Sequence, residues 1–413
     1  MDPLTITNHK PTEDACQLTL GELLERTPLA GELEGYFNST PYQELLKKIS
    51  AERTRAFTPL GRPGYPIEAM LKAYLAGYFI GDITSISHLI RRLQDNPIFA
   101  VICGFDIRHP LPHRTTFSRF VGKLAKHQSL VDQCRPEIVE RLRALVPGFA
   151  EILSVDCTPV KSWSNPARKS DPEAGFVYKG TVEGRKKWVF GYRCFIVSDA
   201  VNELPIGIML THAKDTERKM LLPLLRKVKA ELPWFRPSAV CCDAGFDKYD
   251  NFEGIVKEFD AEPVIALAYK SEVQGSPAAP ICKADLPLIF AGWRRGQLVY
   301  RCPEEAGRAI CPLPDRCPHK QIMVHPVHDY RRFGYRIPRN SPEYKQLYNR
   351  RSAAERVNSR VKGWRRLNSH RFRKRERINL HVTLSTIAML AMALSKAEAG
   401  KLDEIRVCAR KIG

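Results

Sequence analysis

Apolar positions in the first third of the chain recur three and four residues apart, the period of amphipathic helices. Ile67 to Tyr78 follows this period directly after the Pro-Gly punctuation of Arg62-Pro63-Gly64-Tyr65-Pro66. Ser85 to Leu93 turns Ile86, Leu89 and Ile90 inward and Arg91 and Arg92 outward. A third run starts after Pro110-Leu111-Pro112, with Thr115 or Thr116 as the expected cap of Phe117 to Val121. Residues from about 15 to 145 therefore read as mainly helical. Short helices with basic edges suit a helix-turn-helix-like unit and suit a plain helical bundle as well.

From about residue 150 the period changes to that of strands. Glu151 to Val155 is a short apolar strand ending at Asp156, and Trp188 to Ser198 and Leu204 to Leu210 flank a polar turn as a hairpin. A helix over Glu217 to Leu232 leads to the strand Ser238 to Cys242, which ends at Asp243. A helix over about Asn251 to Phe259 and a strand over Glu262 to Ala266 complete the series. Three strands in meander, then helix, strand, helix, strand, is the order of a ribonuclease-H-like α/β core, a mixed sheet with flanking helices. The divisions expected are an all-α N-terminal DNA-binding domain at 1–148, a first core part at 149–268 and a Cys-containing insert at 269–340. The second core part follows at 341–396 and a tail at 397–413. The second part opens with a helix from about Pro342 to Val361 and closes with the apolar helix Leu380 to Leu394, expected to cover the sheet.

A length of 413 residues suits two or three domains, and 44% hydrophobic residues allow a sizeable core. The formal net charge of +20 favours a polyanionic partner. No window reads as a membrane span or a secretory signal, so no membrane partner is expected. The twelve cysteines are scattered, which suits a reducing, cytoplasmic compartment.

At about 100° per residue, Tyr348, Arg351, Glu355 and Lys362 project from the predicted helix within a sector of about 60°. A carboxylate thus shares a stripe with two cations and a tyrosine. Asp156 and Asp243 sit at strand ends, where open α/β sheets bind ligands. Three carboxylates so placed can hold Mg²⁺, which prefers oxygen ligands, for phosphodiester chemistry. An Asp after a strand, taken singly, is more often a turn or cap residue, and Arg351 with Glu355 reads singly as an i, i+4 ion pair.

The spacing Tyr348-x2-Arg351-x3-Glu355-x6-Lys362 resembles the signature of insertion-sequence DDE transposases of the tyrosine–arginine–glutamate–lysine type. Ser154-Val155-Asp156-Cys157-Thr158-Pro159-Val160 and Val240-Cys241-Cys242-Asp243-Ala244-Gly245-Phe246-Asp247 resemble that family's two aspartate motifs. The stretch from Arg62 to Phe120 resembles the helical domain preceding the catalytic core. The resemblance implies a Mg²⁺-dependent prokaryotic enzyme, with Mn²⁺ as substitute, working as a homodimer on DNA. It would nick the element's terminal inverted repeats and transfer the 3′-hydroxyl ends into target DNA. Asp156, Asp243 and Glu355 would be the catalytic metal ligands. A metal-dependent nuclease and a domesticated DNA-binding protein are the alternatives on the same fold. Cys157 departs from the small residue of many relatives and puts a thiol beside the metals.

Tyr348, Arg351, Lys362, Trp364, Arg365, Arg366, Arg371, Arg373 and Lys374 are the candidate DNA contacts, in a segment whose only acid is Glu355. Cys302, Cys311 and Cys317, with Cys282 or His319, are candidate Zn²⁺ ligands, although no Cys-x-x-Cys pair supports them. Asp215 reads as a helix cap or an accessory acid.

Overall fold

The computed structural model describes residues 20–407 apart from 56–63, 82, 84, 169, 184, 268–281, 283, 295–296, 314–320, 325–334, 338, 340 and 366. Eight helices come first: α1 (Leu20–Glu25), α2 (Pro28–Asn38), α3 (Gln43–Arg55), α4 (Ile67–Ile80), α5 (Ile86–Asp95), α6 (Pro97–Ile102), α7 (Arg114–Lys126) and α8 (Gln128–Leu145). Ser85 caps α5 by accepting from the His88 N–H at 3.2 Å, and Asn96 caps α6 by accepting from Phe99 N–H at 2.9 Å. The expected threonine cap of α7 is replaced by His113, whose Nδ1 accepts from the Thr115 N–H. The chain turns helical one residue before the first threonine.

The sheet begins with β1 (Ile152–Lys161), β2 (Gly175–Val182), β3 (Arg185–Asp199) and β4 (Leu204–Thr211). Helix α9 (Glu217–Glu231), β5 (Ala239–Cys242), α10 (Tyr249–Phe259) and β6 (Glu262–Ile265) follow. Strand order is β2-β3-β1-β5-β6, with β4 on β3. Strands β1, β3 and β4 pair antiparallel, whereas β1, β5 and β6 run parallel through the helical crossovers α9 and α10. This is the expected ribonuclease-H-like sheet. Strand β2 and the first three residues of β3 extend it beyond the predicted hairpin. Gly191 makes the extension possible, since a Cβ there would meet the Val160 carbonyl oxygen at 2.0 Å.

A small antiparallel sheet, β7 (Ile289–Arg294), β8 (Gln297–Arg301) and β9 (Gln321–Val324), lies in the expected insert. The chain then forms α11 (Pro342–Asn349), α12 (Ser352–Gly363) and α13 (Arg375–Glu398). Strand alternation gives the main sheet two covered faces. Leu153, Val155, Val240, Cys242, Phe195 and Val197 join the large core shared with α9, α10 and the N-terminal helices. On the other face Ala239, Cys241 and Val264 pack on α11, while Val160, Tyr192, Cys194 and Ile196 pack on Val357 and Val361 of α12.

Helix α13 covers the sheet, as expected, and its other side is buried against the N-terminal helices. It packs against α2, α4, α7 and α8 on one side and β4 on another. It is long and apolar enough to cross a membrane by length and composition, yet 89% of its most apolar window is buried inside the protein. Among its buried side chains, Leu380, Leu384 and Ile387 join the core of the N-terminal helices, and Ile378, Val382 and Met389 join that of the sheet. Replacing Ile387, which is 1% exposed, by Ala should lower stability by about 2–5 kcal/mol. Chemical denaturation followed by circular dichroism and tryptophan fluorescence should show both signals shifting together.

Candidate active site

The register of β1 and β5 determines where the two aspartates meet. Val155 pairs with Cys242 as the last parallel rung. Asp156 and Asp243 occupy the next position on each strand, where β5 ends and β1 continues alone beside β3. Asp156 is therefore inside β1, paired with Ile196, rather than at a strand terminus. Two residues earlier, on the same face, Ser154 and Cys241 hold the helical cover in place. The Ser154 hydroxyl donates to the Arg351 carbonyl at 2.7 Å and accepts from the Ala354 N–H at 3.0 Å. The Cys241 thiol donates to the Leu347 carbonyl at 3.2 Å.

Those contacts fall where the expected single helix divides. Arg350 and Arg351 keep right-handed helical angles, but the N–H groups of Arg350, Arg351, Ala353 and Ala354 bond three residues back. Within this tightened turn the Arg351 carbonyl and the Ala354 N–H, bonded to each other at 3.2 Å, are both shared with the Ser154 hydroxyl. Tyr348 thus ends one helix, and Glu355 and Lys362 belong to the next. A second tie fixes α12: the buried Glu203 carboxylate, at the β3–β4 turn, accepts from Arg356 at 2.6 Å and from Arg360.

Asp156 accepts from the Cys157 N–H at 2.8 Å and from the Asn358 amide at 2.7 Å. Burial pushes its pKa up to about 6; those two hydrogen bonds oppose the rise, the neighbouring Asp243 adds to it and Lys362 opposes it. Asp243 accepts from the Gly245 N–H at 2.9 Å. Its pKa is also raised, by burial and by Glu217 and Glu355, against the Gly245 bond and Arg351. Burial lowers the Lys362 pKa, with Asp156 resisting and Lys179 assisting. The site thus concentrates carboxylates, with Asp243 raising the pKa of Asp156 and Glu217 and Glu355 raising that of Asp243. An oxygen-rich, negatively crowded pocket of this kind fits a hard divalent cation. Glu355 is turned elsewhere, 2.5 Å from Arg351 and 55% exposed. Among the described residues no three Asp, Glu, His or Cys side chains gather as a metal-binding group.

Residues 147–391 match the family model described as Transposase DDE domain, and residues 22–123 match Transposase domain (DUF772). The chain belongs to the DDE transposase family. It is accordingly a polynucleotidyl transferase, and its family uses divalent metal ions. No curated protein matches it. Among solved structures it is similar to the cryo-EM structure of the piggyBac transposase synaptic complex with hairpin DNA, at 12% identity and a TM-score of 0.41. That likeness covers 96% of this chain and 80% of the other.

The transposase brings some of the predicted contacts to the surface and buries others. Trp364 is 51% exposed, and Arg371, Arg373 and Lys374 are exposed. The Arg351 guanidinium lies 5.7 Å from the Tyr348 ring centre. Arg365 is a correction: it is 3% exposed and donates to the Phe79 carbonyl at 2.7 Å and to that of Tyr78. It closes the C-terminus of α4, whose last carbonyls lack helical partners, so DNA cannot reach it. Arg366 lies outside the described residues. Cys282, Cys302 and Cys311 form no metal-binding group, and Cys317 and His319 lie outside the described residues. The Cys157 thiol faces away from Asp156, 3.8 Å from Arg193. Asp215 closes a turn by accepting from the His212 N–H at 3.0 Å, and does not cap α9.

Sequence reasoning missed Asn358, Ser154, Glu217 and Arg193. Asn358 stands three residues after Glu355, and Ser154 two before Asp156, so helix and strand periods were signals for both. Glu217 pairs with Arg193 beside Cys157, a contact only the fold creates. Because the folded state raises the Asp156 pKa, its charge opposes folding. The penalty is absent below the ordinary value of 3.8, grows as pH rises and is complete above about 6. Asp156→Asn should therefore stabilise the metal-free transposase at pH 7 by about 1–3 kcal/mol, a gain that denaturant titration should find vanishing toward pH 4.

Proposed function

We propose that the transposase binds the terminal inverted repeats of an insertion sequence, nicks them by Mg²⁺-dependent hydrolysis and transfers the 3′-hydroxyl ends into target DNA. Asp156, Asp243 and Glu355 are the proposed metal ligands. The observation that carries the reading is the adjacency of Asp156 and Asp243 just beyond the last β1–β5 rung, with Lys362 and Arg351 acting on them. Mg²⁺, when bound, supplies Lewis-acid stabilisation of charge on the phosphodiester.

The chain's own residues provide orientation and charge. Asn358 fixes the Asp156 carboxylate, and Ser154 fixes the turn from which Arg351 and Glu355 project. Lys362 places a cation beside Asp156, where a phosphate would enter. Glu355 must leave Arg351 to join the aspartates, and the released guanidinium is then available to a DNA phosphate. An exposed pair of this kind is worth a few tenths of a kcal/mol, so the exchange is inexpensive. In this reading 1–148 supports DNA binding, 149–268 and 341–396 form the catalytic core, 269–340 is an insert and 397–413 a tail. The transposase would pair two element ends as a homodimer, in the cytoplasm of a prokaryotic cell.

Glu355→Gln should abolish Mg²⁺-dependent cutting at the repeat boundary while keeping DNA binding, in a cleavage assay on a fragment carrying the element's own end. Cutting that survives the substitution would displace Glu355 from the site. Wild-type cutting without joining of the 3′-hydroxyl end to a plasmid would identify a nuclease, and binding without cutting a domesticated protein. Neutralising Arg371, Arg373 and Lys374 together should flatten the dependence of DNA affinity on salt by about 2–3 in log–log slope, near the change expected for three lost phosphate contacts. An unchanged slope in fluorescence anisotropy would remove this segment from the interface.

A further inference from the structure

The β2–β3 hairpin carries an aromatic ladder on a solvent-facing surface. Its register sets Phe176 opposite Phe190 and Tyr178 opposite Trp188, so the four rings share one face. Ring centres are 5.3 Å apart in both pairs. Phe176, Tyr178 and Trp188 are 59%, 45% and 54% exposed, whereas Val177, pointing the other way, is 2% exposed. The hairpin buries its valine and leaves its largest apolar groups in water, the reverse of what stability alone favours. Exposed apolar surface of this kind marks an interaction site.

This face continues the one that bears Asp156. Trp188, Phe190, Tyr192, Cys194 and Ile196 alternate along β3, and Ile196 pairs with Asp156. Helix α12 covers Tyr192 and Cys194 with Val357 and Val361, and the face emerges further along β3 as Phe190 and Trp188. Lys179, at the register shift after Tyr178, acts electrostatically on Lys362, which acts in turn on Asp156. Lys179, Arg185, Lys186 and Lys187 border the ladder, all exposed, against one acid in the hairpin, Glu183.

We propose that this hairpin face is a stacking platform for unpaired nucleobases of a DNA end held at the carboxylate site. The inference rests on the reading of Asp156 and Asp243 as the site of phosphodiester chemistry, since that places a DNA strand beside the hairpin. Every base has a π-face, so an aromatic platform accepts any sequence, and the lysines meet the backbone between bases. A closed duplex hides its base faces, so the ladder selects strands that are frayed or opened. The rings already pack in pairs, which limits the side-chain entropy lost on binding.

The test is fluorescence anisotropy of a labelled single-stranded oligothymidylate and of a duplex of equal length, with full-length protein in excess EDTA so that no cutting occurs. Trp188→Ala and Tyr178→Ala should each weaken single-strand binding about fivefold or more while changing duplex binding less than about twofold. Trp188→Phe should restore most of the affinity, separating ring stacking from a folding defect. Equal losses for both DNAs, or none, would overturn the proposal. So would a wild-type dimer in analytical ultracentrifugation that Trp188→Ala dissolves, since the face would then belong to a second copy of the chain. The measurement needs neither metal nor Glu355. Stacking that persists alongside absent cleavage would fail the catalytic reading alone, and cleavage without stacking would fail the platform alone.

Discussion

Burial of α13 on all sides is the constraint from which the rest of the transposase follows. A helix with two apolar faces needs two partners, and the N-terminal helices and the sheet supply them. Its polar side chains answer inward. His381 Nδ1 meets the Tyr78 hydroxyl at 2.9 Å, and Thr383 Oγ1 accepts from the Gln128 amide at 3.0 Å. Unmade bonds at this depth would each cost about 1–3 kcal/mol. The helical and catalytic parts consequently share one continuous interior, and a disturbance in either is felt by the other.

The site is built on that rigid body by strand parity. Ser154 and Asp156 share a face of β1, and Cys241 shares it on β5 two residues before Asp243. Within each motif the earlier residue grips the helix and the later one presents its carboxylate. One cover thus sets the position of both acids and of the tightened turn between α11 and α12. The turn is also where Arg351 and Glu355 project, so the third acid is placed by the backbone while its side chain stays exchangeable. On the proposed reading, aspartates held by hydrogen bonds beside a glutamate in an exposed ion pair suit a centre that admits a strand before closing on it.

Periodicity carried most of the architecture. Core strands and crossover helices were legible because burial repeats at the period of each element, and the aspartates because they follow apolar runs. Strand β2 was not legible: the large rings of Phe176 and Tyr178 are exposed and Val177 between them is buried, which reverses the pattern by which an apolar face is read. The division of α11 from α12 was hidden because Arg350 and Arg351 keep helical angles, and the side chains that mark it, Ser154 and Cys241, lie more than 100 residues away in sequence. Arg365 misled for a related reason. A guanidinium in a basic run looks solvated until the helix end it closes is known.

That last case alters how the net charge of +20 is read. Part of the arginine excess is structural: Arg135 is fully buried and pairs with Glu231, Arg356 and Arg360 clamp Glu203, and Arg365 closes α4. The buried guanidinium groups of Arg135 and Arg365 are out of reach of a phosphate. Two groups of solvent-facing cations adjoin aromatic rings: Lys161 and Arg371, 5.0 Å and 5.6 Å from the exposed Trp163 ring, and Lys179 and its neighbours around the hairpin ladder. Each group couples charge to an aromatic surface, and each extends from the sheet that holds the aspartates. A partner bound by these groups would be drawn by phosphate charge and retained by contacts to its bases, and only the first of those contributions weakens with salt.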